Sequence, residues 1–174
     1  MKRLAYLVGA FLVSATLAGC GEEVAEAPPP PHALNAQATG HYCGMGLLEH
    51  SGPKGQIILA SRPDPIWFSS ARDTVAFTML PEEPKDIRAI YVSDMAKAPS
   101  WDNPDERNWV EAREAVFVIG SNMRGGMGAP ETVPFSSRRA ADEFAAKHGG
   151  QVVTFDAIPR NYVLGSEVAP GGAT

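Results

Sequence analysis

Cysteine is almost absent from this sequence: of 174 residues, only Cys20 and Cys43 carry a thiol. No CxxC pair can be drawn from them, so thioredoxin-like dithiol chemistry is excluded. Long apolar runs are missing as well. The best candidate, residues 4–17, falls short of the roughly 20 apolar residues that a bilayer-spanning helix needs. A basic stripe is also lacking, since 20 acidic residues against 15 Lys and Arg leave a formal charge of -5. An acidic chain without clustered cations is a poor nucleic-acid binder, and that class is set aside.

What is present at the N-terminus is an address. Lys2 and Arg3 precede the apolar run, which ends in Leu17-Ala18-Gly19-Cys20. A short cationic start, an apolar middle and small residues before a Cys read as a lipoprotein signal over residues 1–19. In such signals diacylglycerol alkylates the thiol and the chain is cut just before it. Cys20 then becomes the lipidated first residue of an exported, membrane-anchored protein. Residues 22–38 carry four consecutive prolines (28–31), alanines and scattered acids. Proline-rich sequence of this kind favours extended chain and buries little. Residues 20–40 are therefore expected to be a flexible tether.

Cleavage removes two cations and no acids, leaving 155 residues with a formal charge of -7. That length suits one compact domain. Once Cys20 is lipidated, Cys43 is the lone thiol of an exported protein, which calls for a reason. It could form an intermolecular disulfide, lie buried and inert, or be a thiolate held by a metal.

The chain also repeats itself. Ile66-Trp67-Phe68-Ser69-Ser70-Ala71-Arg72 returns as Val133-Pro134-Phe135-Ser136-Ser137-Arg138-Arg139, and Phe77 falls opposite Phe144 at the same offset. An apolar run precedes each copy (residues 57–60 and 116–120) and a β-rich segment follows it (residues 88–93 and 151–155). Each unit reads as strand, strand, helix, strand, with the Ser pair at the helix start, where a hydroxyl can accept from the free first-turn N–H groups. Ser70 with Asp73 has capping-box spacing, and Val75, Met79 and Ala71 line one helical face before Pro81. Ala141, Phe144, Ala145 and His148 share a face of the second helix, which Gly149-Gly150 ends. Neither unit can bury enough surface alone. The expected fold class is α+β: two related ββαβ units, about residues 55–95 and 115–156, packed as one domain over 41–158. Residues 96–115 form a polar connector whose Trp101 and Trp109 should cap core edges. Residues 159–174 read as a loose tail.

The chemistry is carried by Cys43-Gly44-Met45-Gly46. A thiolate and a thioether two residues apart can point to one side of a turning loop, and flanking glycines allow close approach. Soft sulfur donors select Cu(I) over harder divalent ions, whereas zinc would want more thiolates or imidazoles. A third donor is needed. Met127, in Gly125-Gly126-Met127-Gly128, is the other Gly-flanked methionine; Met123 is the reserve. His41 and His50 flank the Cys loop and read as solvated, while Met79 and Met95 read as core. The site could be complete in one chain or shared in a homodimer. Two rivals stand beside the metal site. One is a thiol-dependent enzyme with Cys43 as nucleophile and His41, His50 or His148 as base. The other is an interaction lipoprotein with no metal.

The lipobox at Cys20, Cys43-Gly44-Met45 after a tether, the duplicated Phe-Ser-Ser units and the Met127-Gly128 loop ahead of Val133-Pro134-Phe135 together resemble the NosL family. The resemblance runs from Cys20 to about Ile158. It implies two related ββαβ units, akin to the arrangement in an organomercurial lyase. It further implies Cu(I) held at Cys43 and Met45, with Met127 carried over less firmly. Copper would be delivered on the periplasmic side to nitrous oxide reductase during maturation, with a membrane ABC transporter as associated machinery. The lyase activity does not transfer, since it needs a pair of cysteines.

Overall fold

The computed structural model describes residues 27–165; the lipobox, Cys20 and the last nine residues lie outside this range. Two antiparallel sheets carry the fold. Strands β1 (Gly55–Leu59), β2 (Ile66–Phe68), β3 (Ile87–Ser93) and β4 (Trp109–Glu111) form the first, in the order β2-β1-β3-β4. Strands β5 (Val116–Ile119), β6 (Val133–Phe135) and β7 (Gln151–Thr154) form the second, in the order β6-β5-β7. Helix α1 (Ala71–Met79) joins β2 to β3, and α2 (Arg138–His148) joins β6 to β7. The duplication is therefore real in space. Each unit puts its first strand at the centre, flanked by its second and third, and hangs its helix on the last crossover.

Local chemistry explains both helix starts. Ser70 Oγ accepts from Asp73 N–H at 3.2 Å, and Ser137 Oγ accepts from Ala140 N–H at 3.4 Å, each satisfying a first-turn donor. At the far end of α2, Gly149 closes onto Ala145 O with φ of 75°, a left-handed conformation that glycine adopts without strain. Gly150 is needed on space alone, because a methyl there would stand 2.4 Å from Ile119 O.

One core crosses both units. Ile57, Phe68, Val75, Phe77, Ile90 and Val92 of the first unit pack with Phe117, Ile119 and Phe155 of the second. Strand β5 shows the period of two: Phe117 and Ile119 enter this core, while Val118 turns to a smaller cluster with Val133, Phe135 and Ala141. Met79 packs against the first cluster and Met95 against the second, as expected of core methionines. Trp101 stacks on Phe144 at 6.4 Å and Trp109 meets Trp67 at 6.0 Å, so both tryptophans do cap core edges.

Two acids clasp the units together. Glu131, just ahead of β6, accepts from Arg72 N–H at 2.8 Å and from the Ser70 hydroxyl at 3.3 Å, both at the start of α1. Asp94, just after β3, accepts from Ser136 N–H at 2.9 Å and from its hydroxyl at 2.6 Å, at the approach to α2. Each unit thus supplies a buried carboxylate to the helix start of the other.

Three segments differ from the sequence expectation. The second half of the tether is docked, not free: Leu34 and Ala38 are buried, and His32 exchanges two hydrogen bonds with the buried Gln56 side chain at 2.8 and 2.9 Å. Tyr91 also donates to Pro29 O at 2.8 Å. Extended proline-rich chain leaves its carbonyls unpaired, and here side chains from the sheet use them. The start of the tail is likewise ordered as α3 (Arg160–Leu164), with Val163 buried and the Tyr162 hydroxyl donating to Glu131 O. Lastly, the polar connector contributes strand β4, which no local pattern announced.

Candidate metal centre

The loop over residues 39–46 is built by its glycines. Gly40 N–H donates to Met45 O at 2.9 Å, Gly44 N–H donates to Gly40 O at 2.8 Å, and Thr39 bridges Gly46. Gly44 sits at φ of 68°, so the chain doubles back within a few residues. His41 N–H, bonded to Trp67 O at 2.8 Å, pins this knuckle to the edge of β2. The knuckle carries both Cys43 and Met45.

Cys43 is half-buried and Met45 is 38% exposed. The thiol is wedged against Gly40, where a methyl would lie 2.5 Å from Sγ. It donates to Ser69 Oγ at 3.5 Å, at the approach to α1. The sulfur is therefore neither sealed in the core nor free to swing.

Met127 sits on a second glycine loop, closed by Gly125 N–H to Ala129 O at 3.0 Å and Gly128 N–H to Gly125 O at 2.8 Å. It is 54% exposed, as expected of a methionine that does not serve the core. The glycines before it are required by close approach. A methyl on Gly126 would stand 2.5 Å from His50 Cβ, and one on Gly125 would stand 2.6 Å from Glu131 Oε2. His50 in turn closes the short 3-10 helix Leu47–Glu49, which begins directly after Gly46. The structure thus packs the Met127 loop onto the exit of the Cys43–Met45 loop, with His50 between them. Met123, the reserve donor, is partly exposed on the same connection.

Of the two flanking histidines, His41 is exposed as the sequence suggested, although its ring is held in place, while His50 is not the solvated residue expected. His41 Nε2 lies 3.3 Å from Glu83 Oε1, and its ring packs edge-on against Phe68 and Phe77. His50 Nε2 is buried with no hydrogen-bond partner. A buried polar atom left without a partner is costly, and such an atom beside two sulfur-bearing loops is what a bound cation would satisfy. His148 rests on Phe144 at 4.5 Å, on α2. Among the described residues the hydrogen bonds of Cys43 go to Gly40 O and Ser69 only, so no base is paired to the thiol. No group of three or more His, Cys, Asp and Glu that could hold a metal forms among them either. The available donors are a thiol and thioethers, which are soft, and an orphaned imidazole nitrogen, which is borderline. This set fits a monovalent, low-coordinate ion such as Cu(I).

The field around the site is anionic. Burial raises the Tyr42 phenol well above its usual range, and its bond to Glu83 with the charges of Glu83, Asp73 and Glu82 adds to this. Beneath the loops, burial pushes the Glu131 carboxyl up to about 7, against hydrogen bonds from Arg72, Thr132 and Ser70. Burial also lowers the Lys54 ammonium to about 8, and nearby Glu131 partly offsets the shift. Lys54 donates to Ser51 O and Gly52 O, which fixes the strand leaving His50.

Sequence comparison decides what this arrangement belongs to. The NosL family model matches residues 31–163. The chain belongs to the NosL family. It is 47% identical over 159 residues to the copper-binding lipoprotein NosL of Achromobacter cycloclastes, covering 91% of this chain and 81% of the relative. It is 31% identical to the copper-binding lipoprotein NosL of Stutzerimonas stutzeri, covering 86% and 77%. Its fold matches the crystal structure of the copper chaperone NosL from Shewanella denitrificans with a TM-score of 0.71 and 34% identity, over 76% of this chain and 98% of that one. Within this chain the sequence singled out the cysteine and both methionine loops but passed over Ser69 and Glu131. The duplicated Phe-Ser-Ser was the signal for Ser69; it was read only as a helix start. Nothing local marks Glu131, whose partners are about sixty residues away.

Proposed function

We propose that the chain is a lipid-anchored Cu(I) chaperone, with Cys43, Met45 and Met127 as its sulfur donors and no catalytic turnover of its own. The observation that carries the reading is the knuckle itself. It holds a half-buried thiol next to an exposed thioether, with no acid–base partner on the thiol. A carrier benefits from such a half-open site, because a recipient can replace donors one at a time. The curated relatives are named copper-binding lipoproteins and the matched structure is described as a copper chaperone, which supports the same cargo. The same proposal takes Cys20 as the lipidated residue, anchorage on the periplasmic side, apo nitrous oxide reductase as recipient and a membrane ABC transporter as partner, as the resemblance read from the sequence implies. Among the described residues no helix is long and apolar enough to cross a membrane.

The test is titration of the protein with Cu(I) against a competing chelator. Tight one-to-one binding lost in Cys43→Ser is expected; unaltered binding in that variant refutes the site. Copper transfer to the apo reductase, followed by recovery of its activity, tests the recipient separately.

A further inference from the structure

Ser69 and Ser136 occupy the same place in the two repeats, one residue before the helix N-cap. The same strand-to-helix turn presents both hydroxyls, yet they meet different groups. Ser136 donates to Asp94 Oδ2 at 2.6 Å, while its backbone N–H donates to Oδ1 at 2.9 Å. Asp94 is fully buried. Burial alone would raise its carboxyl, but the bonds from Ser136, together with those from Lys97 and Ala96, hold it below the usual carboxylate range. At this position, then, the fold already uses a serine hydroxyl to satisfy a buried anion.

Ser69 meets sulfur instead. Ser69 is 2% exposed, and the Cys43 thiol is the one hydrogen-bond partner of its hydroxyl among the described residues, at 3.5 Å. While sulfur carries its proton, the thiol donates and the hydroxyl accepts. When that proton leaves and a metal ion takes its place, the sulfur has nothing to donate. The hydroxyl can then rotate to donate to the thiolate, as Ser136 does to Asp94. Gly40 blocks the sulfur on another side, because no Cβ there leaves room for it.

We propose that Ser69 is a positioning residue for the copper site, its hydroxyl being the hydrogen-bond donor that orients and stabilises the Cys43 thiolate. The role rests on the copper reading given above. Removing a partner of this kind from a ligating side chain typically costs about ten- to a hundredfold in metal affinity.

The experiment compares Ser69→Ala, Ser69→Thr and Ser136→Ala in the full chain, with and without Cu(I). Without copper, the S–H stretching band of Cys43 is assigned by its loss in Cys43→Ser. It should shift in Ser69→Ala, where only the longer contact to Gly40 O at 4.0 Å remains, and stay in place in Ser69→Thr and Ser136→Ala. With copper, Ser69→Ala should lose about tenfold in Cu(I) affinity and shift the thiolate-to-copper charge-transfer band to lower energy. Ser69→Thr should recover both, while Ser136→Ala should lower only the melting temperature. An S–H band unmoved in Ser69→Ala overturns the hydrogen bond. Cu(I) affinity and charge-transfer energy that both match the parent overturn the positioning role and leave the copper reading standing. A parent chain that binds no Cu(I), yet shows the S–H shift, overturns the copper reading and with it the role in metal binding.

Discussion

Met79 and Met127 are packed and exposed to different degrees, and the difference sorts their roles. Met79 packs against the main core from the end of α1, so its truncation removes buried surface. Met127 stands 54% exposed on a glycine loop, where truncation removes a donor and little packing. Met127→Ala should therefore weaken Cu(I) binding by about tenfold, roughly 1.4 kcal/mol, and leave the melting temperature unchanged. Met79→Ala should do the opposite, costing about 1–2 kcal/mol of stability with Cu(I) affinity intact, since the side chain is only partly buried. Chelator competition and thermal unfolding of the two variants make the comparison. A Met127→Ala protein with parental affinity removes that residue from the site. Gly126 belongs to the same scale: Gly126→Ala would drive a methyl to 2.5 Å from His50 Cβ, so the Met127 loop must lift away.

At the scale of elements the clasp between units is the feature with consequences. Glu131 ties the start of α1 to the segment leading into β6, and its second oxygen, Oε2, is buried without a partner. In the folded chain burial raises its carboxyl to about 7 from the ordinary 4.5. An acid with a raised folded-state value loses its proton in the unfolded chain first. Its contribution to stability therefore falls as pH rises from about 4.5 to about 7, and is constant below and above that window. The charged groups that act on it are Lys54, whose ammonium burial lowers to about 8, and Asp73, whose carboxyl burial raises; Arg72 reaches it through its backbone N–H. Glu131→Gln keeps an acceptor for Arg72 N–H and removes the charge. The parent minus Glu131→Gln stability difference should shrink by roughly 2–3 kcal/mol between pH 4.5 and pH 7.5. Denaturant unfolding at several pH values measures it, and a difference flat across that window refutes the assignment. The elements themselves were largely legible in the sequence. Strand periods, serine caps and the constant offset between repeats are local signals, and they placed the six unit strands and both long helices within a few residues. The clasp was not legible, because Glu131 and Asp94 are defined by partners about sixty and forty residues away. The knuckle was legible as a donor pair, since spacing and glycine are local. The second donor loop was legible only as a motif; its seat on His50 depends on tertiary packing.

At the scale of the whole molecule, the domain is larger at both ends than composition suggests. Proline-rich chain has no periodicity from which docking can be read, so residues 29–38 looked like tether. Their partners are Gln56 on the central strand of the first sheet, Tyr91 on β3 and the Glu106 carbonyl, which accepts from Leu34 N–H at 2.9 Å. Leu34 and Ala38 then pack with Leu47, the residue that opens the short helix leading to His50. The docked strap therefore lies under the exit of the Cys43–Met45 loop, and its loss should be felt at the site as well as in the fold. Leu34→Ala should cost about 2–3 kcal/mol, as for truncation of a buried leucine. It should also loosen the seat of Leu47, lowering Cu(I) affinity, whereas deletion of residues 21–28, ahead of the docked segment, should change neither quantity. Thermal unfolding and chelator competition read the two effects independently. If Leu34→Ala lowers stability by the expected amount but binds Cu(I) as the parent does, the strap supports the domain without supporting the knuckle. If the deletion of residues 21–28 destabilises the protein as much as Leu34→Ala, the contacts that support the domain begin earlier than residue 29.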